Sequence, residues 1–252
     1  ASLGRIIMNK TVIIIPSRLS AQRLPKKPLK LINNKEMILH VYDSAIQSKA
    51  GEVFVASPDE EIIEKVKKYG GNAIKTSSGH ETGTDRIFEV FKETLNSSPK
   101  IIVNLQGDMP NINPKFISYL VNYMDKNKCD IGTLASEFKD EKEIGDINAV
   151  KVEVDGTFNA SDFLPATDFF RTKNDSYSNF FHHIGIYAFT NKALVRYVNL
   201  ERSKIELERN LEQLRALENN MSIHVGYVNA PPLSVDTEKD LNDVKKLMKK
   251  NV

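Results

Sequence analysis

The chain predicts an α/β fold with a mostly parallel sheet that turns mixed in its second half. Short apolar runs alternate with longer segments of helical period, the pattern of βαβ units. Four such strand candidates fall within the first 105 residues. Beyond Lys115 the alternation loosens, as expected where strands begin to run antiparallel.

Val12 to Ile15 reads as the first buried strand, and Glu36 to Lys49 as a helix with Met37, Val41 and Ala45 on one face. Val53 to Ala56 is the second strand. Pro58 suits the first turn of the next helix, which runs to Tyr69 and stops at Gly70-Gly71. Ala73 to Thr76, a helix across Thr84 to Leu95, and the strand Ile101 to Leu105 complete this half. A helix ending at Lys126 follows, then strands near Ile131 to Ala135 and Val150 to Val154, and a polar stretch across Arg171 to Asn179. Alternation returns with Ile184 to Phe189, helices around Ala193 and across Leu207 to Leu217, a strand Ile223 to Val228, and a closing helix from Glu238.

Composition narrows the function classes. At 252 residues the chain is long enough to bury a core without disulfides, and 40% hydrophobic with 27% charged residues is ordinary for a soluble globular protein. A net charge of +2 is too balanced for whole-surface attraction to nucleic acid or an anionic membrane, so neither partner is expected. No apolar run approaches the ~18 residues of a membrane span. The single Cys129 forms no internal disulfide and no zinc site, which points to a reducing, cytoplasmic compartment. Residues 1–8, up to Met8, are expected to be an extension or an expression remnant.

The first strand runs into Pro16 to Leu31, PSRLSAQRLPKKPLKL, where an open α/β sheet binds ligands. The chain has no acidic residue from Ala1 to Lys35, while Arg18, Arg23, Lys26, Lys27 and Lys30 crowd this loop. Arg forks and Lys point charges at this spacing suit a triphosphate; a solvated basic loop is the plain alternative. GxxxxGK[ST] and GxGxxG are both absent, which removes two other phosphate-binding classes.

Ile101 to Pro110, IIVNLQGDMP, delivers Gln106, Gly107 and Asp108 at a strand's carboxyl end. Asp236, in SVDTEKDL, follows another strand-like run. Were the two carboxylates to converge, they would make an oxygen-ligand site suited to Mg²⁺; each reads equally as the cap of its following helix. GHETGTDR, Gly79 to Arg86, offers bared amides for a base or ribose, or simply a loop with a Thr84 cap. His183, Tyr187, Glu212 and Gln213 are hydrogen-bonding groups for a polyhydroxylated ligand, or satisfied structural polar groups.

Taken together, VIIIPSRLSAQRLPKKPL, ETGTDR, VNLQGDMP, NAVKV, HHIGIYAF, LEQLRALENNMSIHV and SVDTEKDL resemble the 3-deoxy-manno-octulosonate (Kdo) cytidylyltransferases, the CMP-Kdo synthetases, across nearly the whole chain from Asn9. The resemblance implies a Rossmann-like nucleotidyltransferase fold in one domain, 9–252. Within it, roughly 116–204 would form a smaller sugar-binding and dimerisation subdomain. It implies that Arg18, Lys27, Asp108 and Asp236 are catalytic, and that Arg18, Arg23, Lys27, Thr84, Asp85 and Arg86 bind CTP. Asp108 and Asp236 would hold Mg²⁺, and Gln106, His183, Tyr187, Glu212 and Gln213 would face the sugar acid. The implied activity is transfer of CMP from CTP to Kdo or a close relative such as 8-amino-Kdo, with pyrophosphate released, in lipopolysaccharide biosynthesis by a homodimer. The alternatives are a non-catalytic nucleotide-sugar sensor, a cytidylyltransferase for another acidic sugar, or a glycosyltransferase of similar topology, the last weakened by the lack of a clear DxD.

The departures from the family pattern fall mostly on the sugar side. Met109 stands where the family often has an acid, Lys26 where Gly is common, and His182 where Arg is frequent. Asn159-Ala160-Ser161 aligns with a segment that carries an arginine in many members, so either Arg171 substitutes or the acceptor differs from ordinary Kdo. Phe163, Phe169, Phe170, Phe180 and Phe181 suggest aromatics at a dimer interface, although some of them must be core.

Overall fold

The computed structural model describes residues 10–159 and 163–249, so the expected N-terminal extension lies outside the described residues. The chain divides into two compact units, residues 1–121 with 232–252, and residues 122–231. The second differs from the expected 116–204 chiefly in continuing to residue 231.

In the first unit, β1 (Thr11–Pro16) is buried at every residue, as a central parallel strand covered on both faces must be. A small hairpin, β2 (Leu31–Ile32) and β3 (Lys35–Glu36), precedes α1 (Met37–Ser48), which buries Met37, Ile38, Val41, Tyr42 and Ala45 at helical spacing. After β4 (Glu52–Ser57) comes α2 (Glu60–Lys68), with Asp59 at its N-cap, so Pro58 lies just before the helix rather than in its first turn. Glu60 and Glu61 open α2 and Lys65, Lys67 and Lys68 close it, matching the helix dipole at both ends. β5 (Ala73–Lys75) leads to α3 (Gly83–Glu89), which runs on into a π-helical turn at Val90–Thr94 before β6 (Ile101–Leu105). The sheet order is β5-β4-β1-β6, all parallel, with Ile13 beside Val53 on one side and Val103 on the other. α4 (Pro114–Lys126) then carries the chain into the second unit.

The second unit is mixed, as expected. It comprises β7 (Ile131–Ser136), the short α5 (Glu141–Ile144), β8 (Lys151–Val154), β9 (Phe163–Phe170), β10 (Phe180–Thr190), α6 (Asn191–Val198), α7 (Lys204–Arg209), α8 (Leu214–Glu218) and β11 (Ile223–Tyr227). Its strand order is β10-β7-β11-β9-β8, and β8 also pairs with β10, closing the set on itself. Only β7 and β11 run parallel among these pairs.

Two expectations fail here. The strand β9 is absent from the sequence reading because FLPATDFF interrupts its apolar residues with Pro165 and Asp168 and shows no simple alternation. Its Phe163 instead packs over Gly226 of β11, where a Cβ would collide with the ring. The single helix expected across Leu207 to Leu217 is broken into α7 and α8 at Asn210, whose φ of 53° is left-handed. The five phenylalanines are not an exposed set. Phe169 and Phe170 are buried and the other three half-buried, with Phe170 stacked on Tyr177 at 3.5 Å and Phe163 on Tyr123 at 3.7 Å. Phe169 and Phe170 therefore supply core to this unit, while Phe163, Phe180 and Phe181 remain partly accessible.

The chain finally returns to the first unit as α9 (Glu238–Lys249). Val235, Leu241 and Val244 close a small core with Leu24, Ile32 and Met37. At about 1.5–3 kcal/mol per fully buried aliphatic side chain, this cluster is sufficient to hold the C-terminal segment against the basic loop.

Candidate active site

The basic loop is fastened at both ends. The Ser17 N–H donates to Ala56 O at 2.9 Å, extending the β1–β4 ladder by one bond. The Leu19 N–H donates to the Asp59 carboxylate at 2.8 Å, which ties the loop to the start of α2. Leu24 then anchors its middle in the core. Between these points Arg18 and Arg23 stand exposed. The Ser17 hydroxyl is buried at the root of the loop without a hydrogen-bond partner. Lys26 is in the left-handed region, φ 54° and ψ 31°, and starts the short 3-10 turn Lys27–Leu29. That conformation favours glycine, which is the physical sense of the family's residue at this position.

Asp108 follows β6, and its carbonyl accepts the Val235 N–H at 2.8 Å. The Ser234 hydroxyl donates to the Asp108 carboxylate at 3.2 Å, and Asn111 Oδ1 accepts the Leu233 N–H at 2.9 Å. These three bonds lay residues 233–236 along the end of β6. Lys27 Nζ lies 3.4 Å from Asp236 Oδ1. Burial, with the Asp236 charge adding to it, pushes the Asp108 carboxyl up, while Lys27 and the Ser234 hydroxyl pull it down. The structure thus brings Lys27, Asp108 and Asp236 into one electrostatic group within the first unit.

Neither aspartate caps its following helix. Thr237 accepts the Asp240 N–H and Asp240 accepts the Thr237 N–H, a reciprocal cap that leaves the Asp236 side chain to Lys27. At α4, Asn113 Oδ1 accepts the Lys115 N–H. Both carboxylates are therefore available to an oxygen-seeking cation. Among the described residues no group of three or more His, Cys, Asp or Glu is placed to hold a metal ion.

The GHETGTDR segment is arranged differently from its sequence reading. Thr82, not Thr84, caps α3, accepting the Asp85 N–H at 3.1 Å and donating to the Asp85 carboxylate. Thr84 is buried, accepting from Asn104 Nδ2 at 3.3 Å, and Asn104 Oδ1 accepts from Gln106 Nε2 at 2.8 Å. Asn104, the one polar side chain inside IIVNL, thus joins the α3 loop to Gln106, and that break in an apolar run was the available signal for it. A Cβ at Gly83 would sit a tight 3.1 Å from Pro16 and 3.3 Å from Gln106, so the loop's close approach to β1 favours glycine. Arg86 is buried, with Nη1 donating to Thr76 Oγ1 at 2.6 Å and Ser77 O at 2.7 Å. Burial, then the nearby Arg18, pulls its guanidinium below the usual arginine range.

In the second unit, His183 Nε2 lies 2.9 Å from Thr133 Oγ1, and the Tyr187 ring is 5.5 Å from the His183 ring. Burial, then the Glu212 charge, raises the Tyr187 phenol far above its ordinary range. The Tyr197 hydroxyl donates to Glu212 O at 2.9 Å, and Arg215, over the Tyr197 ring, pairs with fully buried Glu206 at 2.7 Å. This buried pair sets the turn that carries Glu212 and Gln213, and Gln213 is itself buried. His183, Tyr187 and Glu212 thus share one neighbourhood, whereas Gln106 belongs to the first unit.

Arg171 is anchored to main-chain carbonyls by three of its five N–H donors. Its Nε donates to Arg209 O at 3.0 Å, Nη2 to Asn210 O at 3.0 Å and Nη1 to Ile147 O at 3.2 Å. Of the three residues aligned with the family's arginine segment, Asn159 is exposed, and Ala160 and Ser161 lie outside the described residues.

A cytidylyltransferase family model matches residues 12–223. A 3-deoxy-manno-octulosonate cytidylyltransferase of Bartonella tribocorum is 38% identical over 239 residues, covering 94% of this chain and 98% of that protein. One from Brucella canis is 42% identical over 236 residues, 92% and 93% of the two chains. A solved structure of CMP:2-keto-3-deoxy-manno-octonic acid synthetase complexed with CTP superposes with a TM-score of 0.86 at 36% identity, covering 96% of this chain and 100% of that one. The fold alone extends further, to 4-diphosphocytidyl-2C-methyl-D-erythritol synthase from Anaerococcus prevotii at 16% identity, TM-score 0.63, with 96% and 99% covered. With near-complete coverage of both partners, a shared fold and a family model across most of the length, the chain belongs to the 3-deoxy-manno-octulosonate cytidylyltransferase family and is a nucleotidyltransferase.

Proposed function

We propose that this protein transfers CMP from CTP to a 3-deoxy-ulosonic acid, Kdo or a close relative. The observation that carries the reading is the group formed by Lys27, Asp108 and Asp236 beside the basic loop. Two carboxylates with one lysine beside them suit a triphosphate whose charge is shared with a divalent cation. The anomeric C2 hydroxyl oxygen of the acid bonds to the α-phosphorus, the bond to the β-phosphate oxygen breaks, pyrophosphate leaves and the hydroxyl proton passes to solvent. Arg18, Arg23 and Lys27 hold the phosphates in line, and Asp85 stands at the start of α3 for the nucleoside, with the buried Thr84 acting there only indirectly through Asn104. Arg86 acts there indirectly, by fixing Thr76 and Ser77 under that helix.

Asp108 and Asp236 fit Mg²⁺, since oxygen donors are what it takes and the two charges otherwise repel. Bound there, it would neutralise charge growing on the triphosphate. His183, Tyr187, Glu212 and Gln213 form the acid's hydroxyl-binding side. Cytoplasmic location belongs to this proposal through the single cysteine, Cys129, and lipopolysaccharide synthesis and a homodimer through family resemblance; light scattering at micromolar concentration tests the dimer. The activity is tested by pyrophosphate release from CTP, UTP, ATP and GTP with a panel of ulosonic acids. CTP with an ulosonate is expected to exceed the other nucleotides strongly, because one exocyclic group must be read by paired donors and acceptors. Equal use of UTP, or no release with any ulosonate, overturns it.

A further inference from the structure

Thr133, in the middle of β7, is completely buried, and its hydroxyl occupies the bulge where the β10–β7 register slips between Ile184 and Tyr187. Oγ1 lies 2.7 Å from Ile186 O, 3.3 Å from Ile184 O and 2.9 Å from His183 Nε2. A hydroxyl has one proton to donate and two lone pairs to accept with. The 2.7 Å contact has the normal O–H···O length, so the proton goes to the Ile186 carbonyl. The 2.9 Å contact must then run the other way, with Nε2–H donating into Oγ1. A neutral imidazole protonated at Nε2 has a bare lone pair at Nδ1. Nδ1 has no hydrogen-bond partner among the described residues. Burial, and next the adjacent His182, push the His183 pKa down to about 3, so no second proton occupies Nδ1 near neutrality.

We infer that Thr133 is a positioning residue: it locks His183 as the Nε2–H tautomer, so that Nδ1 accepts a hydrogen bond from a hydroxyl of the sugar acid. This rests on the ulosonate reading above. It also assigns the direction of recognition, because a bare lone pair repels a carboxylate and selects a donor. His183 therefore reads a hydroxyl or an amine of the acceptor, and the carboxylate is held elsewhere.

The ring itself provides the first test. ¹⁵N NMR of the histidine side chains in the wild-type protein at neutral pH is expected to show His183, assigned by loss of its signals in His183→Gln, with Nε2 protonated and Nδ1 bare. A ring protonated at Nδ1 overturns the proposal. Kinetics provide the second. Thr133→Val keeps the shape but removes donor and acceptor, and is expected to raise KM for the acid about threefold to tenfold, the worth of a hydrogen bond, with KM for CTP unchanged. Thr133→Ser keeps the hydroxyl and is expected to stay near wild type. An unchanged KM for the acid in a folded Thr133→Val protein overturns the proposal, as does a Ser variant as impaired as Val. If no ulosonate is a substrate, the activity reading fails, while the nitrogen spectrum still decides the tautomer.

Discussion

The main-chain N–H of Val235 donates to the carbonyl oxygen of Asp108 at 2.8 Å, and this bond makes the two halves of the carboxylate pair neighbours. Ser234, 126 positions along the chain from Asp108, reinforces it through its hydroxyl. Val235 is also fully buried against Leu24 of the basic loop. One backbone bond and one apolar contact therefore place Asp236 within 3.4 Å of Lys27, and the charge of each reaches Asp108.

If that pair holds the metal, Asp108→Asn and Asp236→Asn each reduce kcat by about 10²-fold or more at saturating Mg²⁺, the scale seen when a transition-state charge stabiliser is lost. Thermal stability without metal should hold or rise, because neutralising one carboxylate relieves repulsion between the two. Steady-state pyrophosphate release and a melting curve check both. A near-normal rate in either variant removes that residue from the catalytic group.

Lys26→Gly should leave the melting temperature nearly unchanged. Glycine relieves roughly 1 kcal/mol of left-handed strain but costs about the same in unfolded-chain entropy. The ion pair of Lys26 with Glu61 is exposed on both sides, so its loss matters little. Lys26→Val, β-branched at the same φ of 54°, should lose about 1–2 kcal/mol in denaturant titration. Equal stability of the Val and Gly variants would contradict this account of the turn.

Glu206→Gln should destabilise by about 3–5 kcal/mol, because it strands the buried Arg215 guanidinium. Burial works to raise the Glu206 pKa, but Arg215, the Ser203 N–H and Arg202 outweigh it and hold the carboxyl below its ordinary value. A depressed folded-state value means stabilisation that is full above the unfolded carboxylate pKa of about 4.3 and lost as pH falls through the folded value. The gap in melting temperature between wild type and Glu206→Gln should therefore be widest near neutrality and narrow below about pH 4. A gap independent of pH would exclude this linkage.

Arg171→Gln should lower stability by about 1–3 kcal/mol, since three carbonyls lose a charged donor. KM for the acid should shift less than about threefold, because three of the five guanidinium donors already hold the Ile147, Arg209 and Asn210 carbonyls and fix the side chain in a structural role. A rise of a hundredfold in that KM would restore Arg171 as the carboxylate's partner.

The sequence by itself determined the elements whose signal is local. Apolar runs of strand length, helical spacing of Met37, Val41 and Ala45, and the acid-free stretch before Lys35 all report burial or charge one residue at a time. The motif order likewise carried the family. Only the tertiary structure decided which distant groups meet. A lone carboxylate after a strand reads equally as a cap or a ligand until Thr237 and Asn113 are seen near the helix starts instead. An arginine in a polar loop reads as free until Ile147, Arg209 and Asn210 are found around it. β9 stayed hidden because its stability comes from pairing with β8 and β11 and from a ring laid over Gly226, not from its own alternation. The physical reason is common to all of these cases. Period and composition record how each side chain partitions from water, whereas register, bulges and long-range hydrogen bonds depend on which backbone donor faces which acceptor once the sheet is assembled.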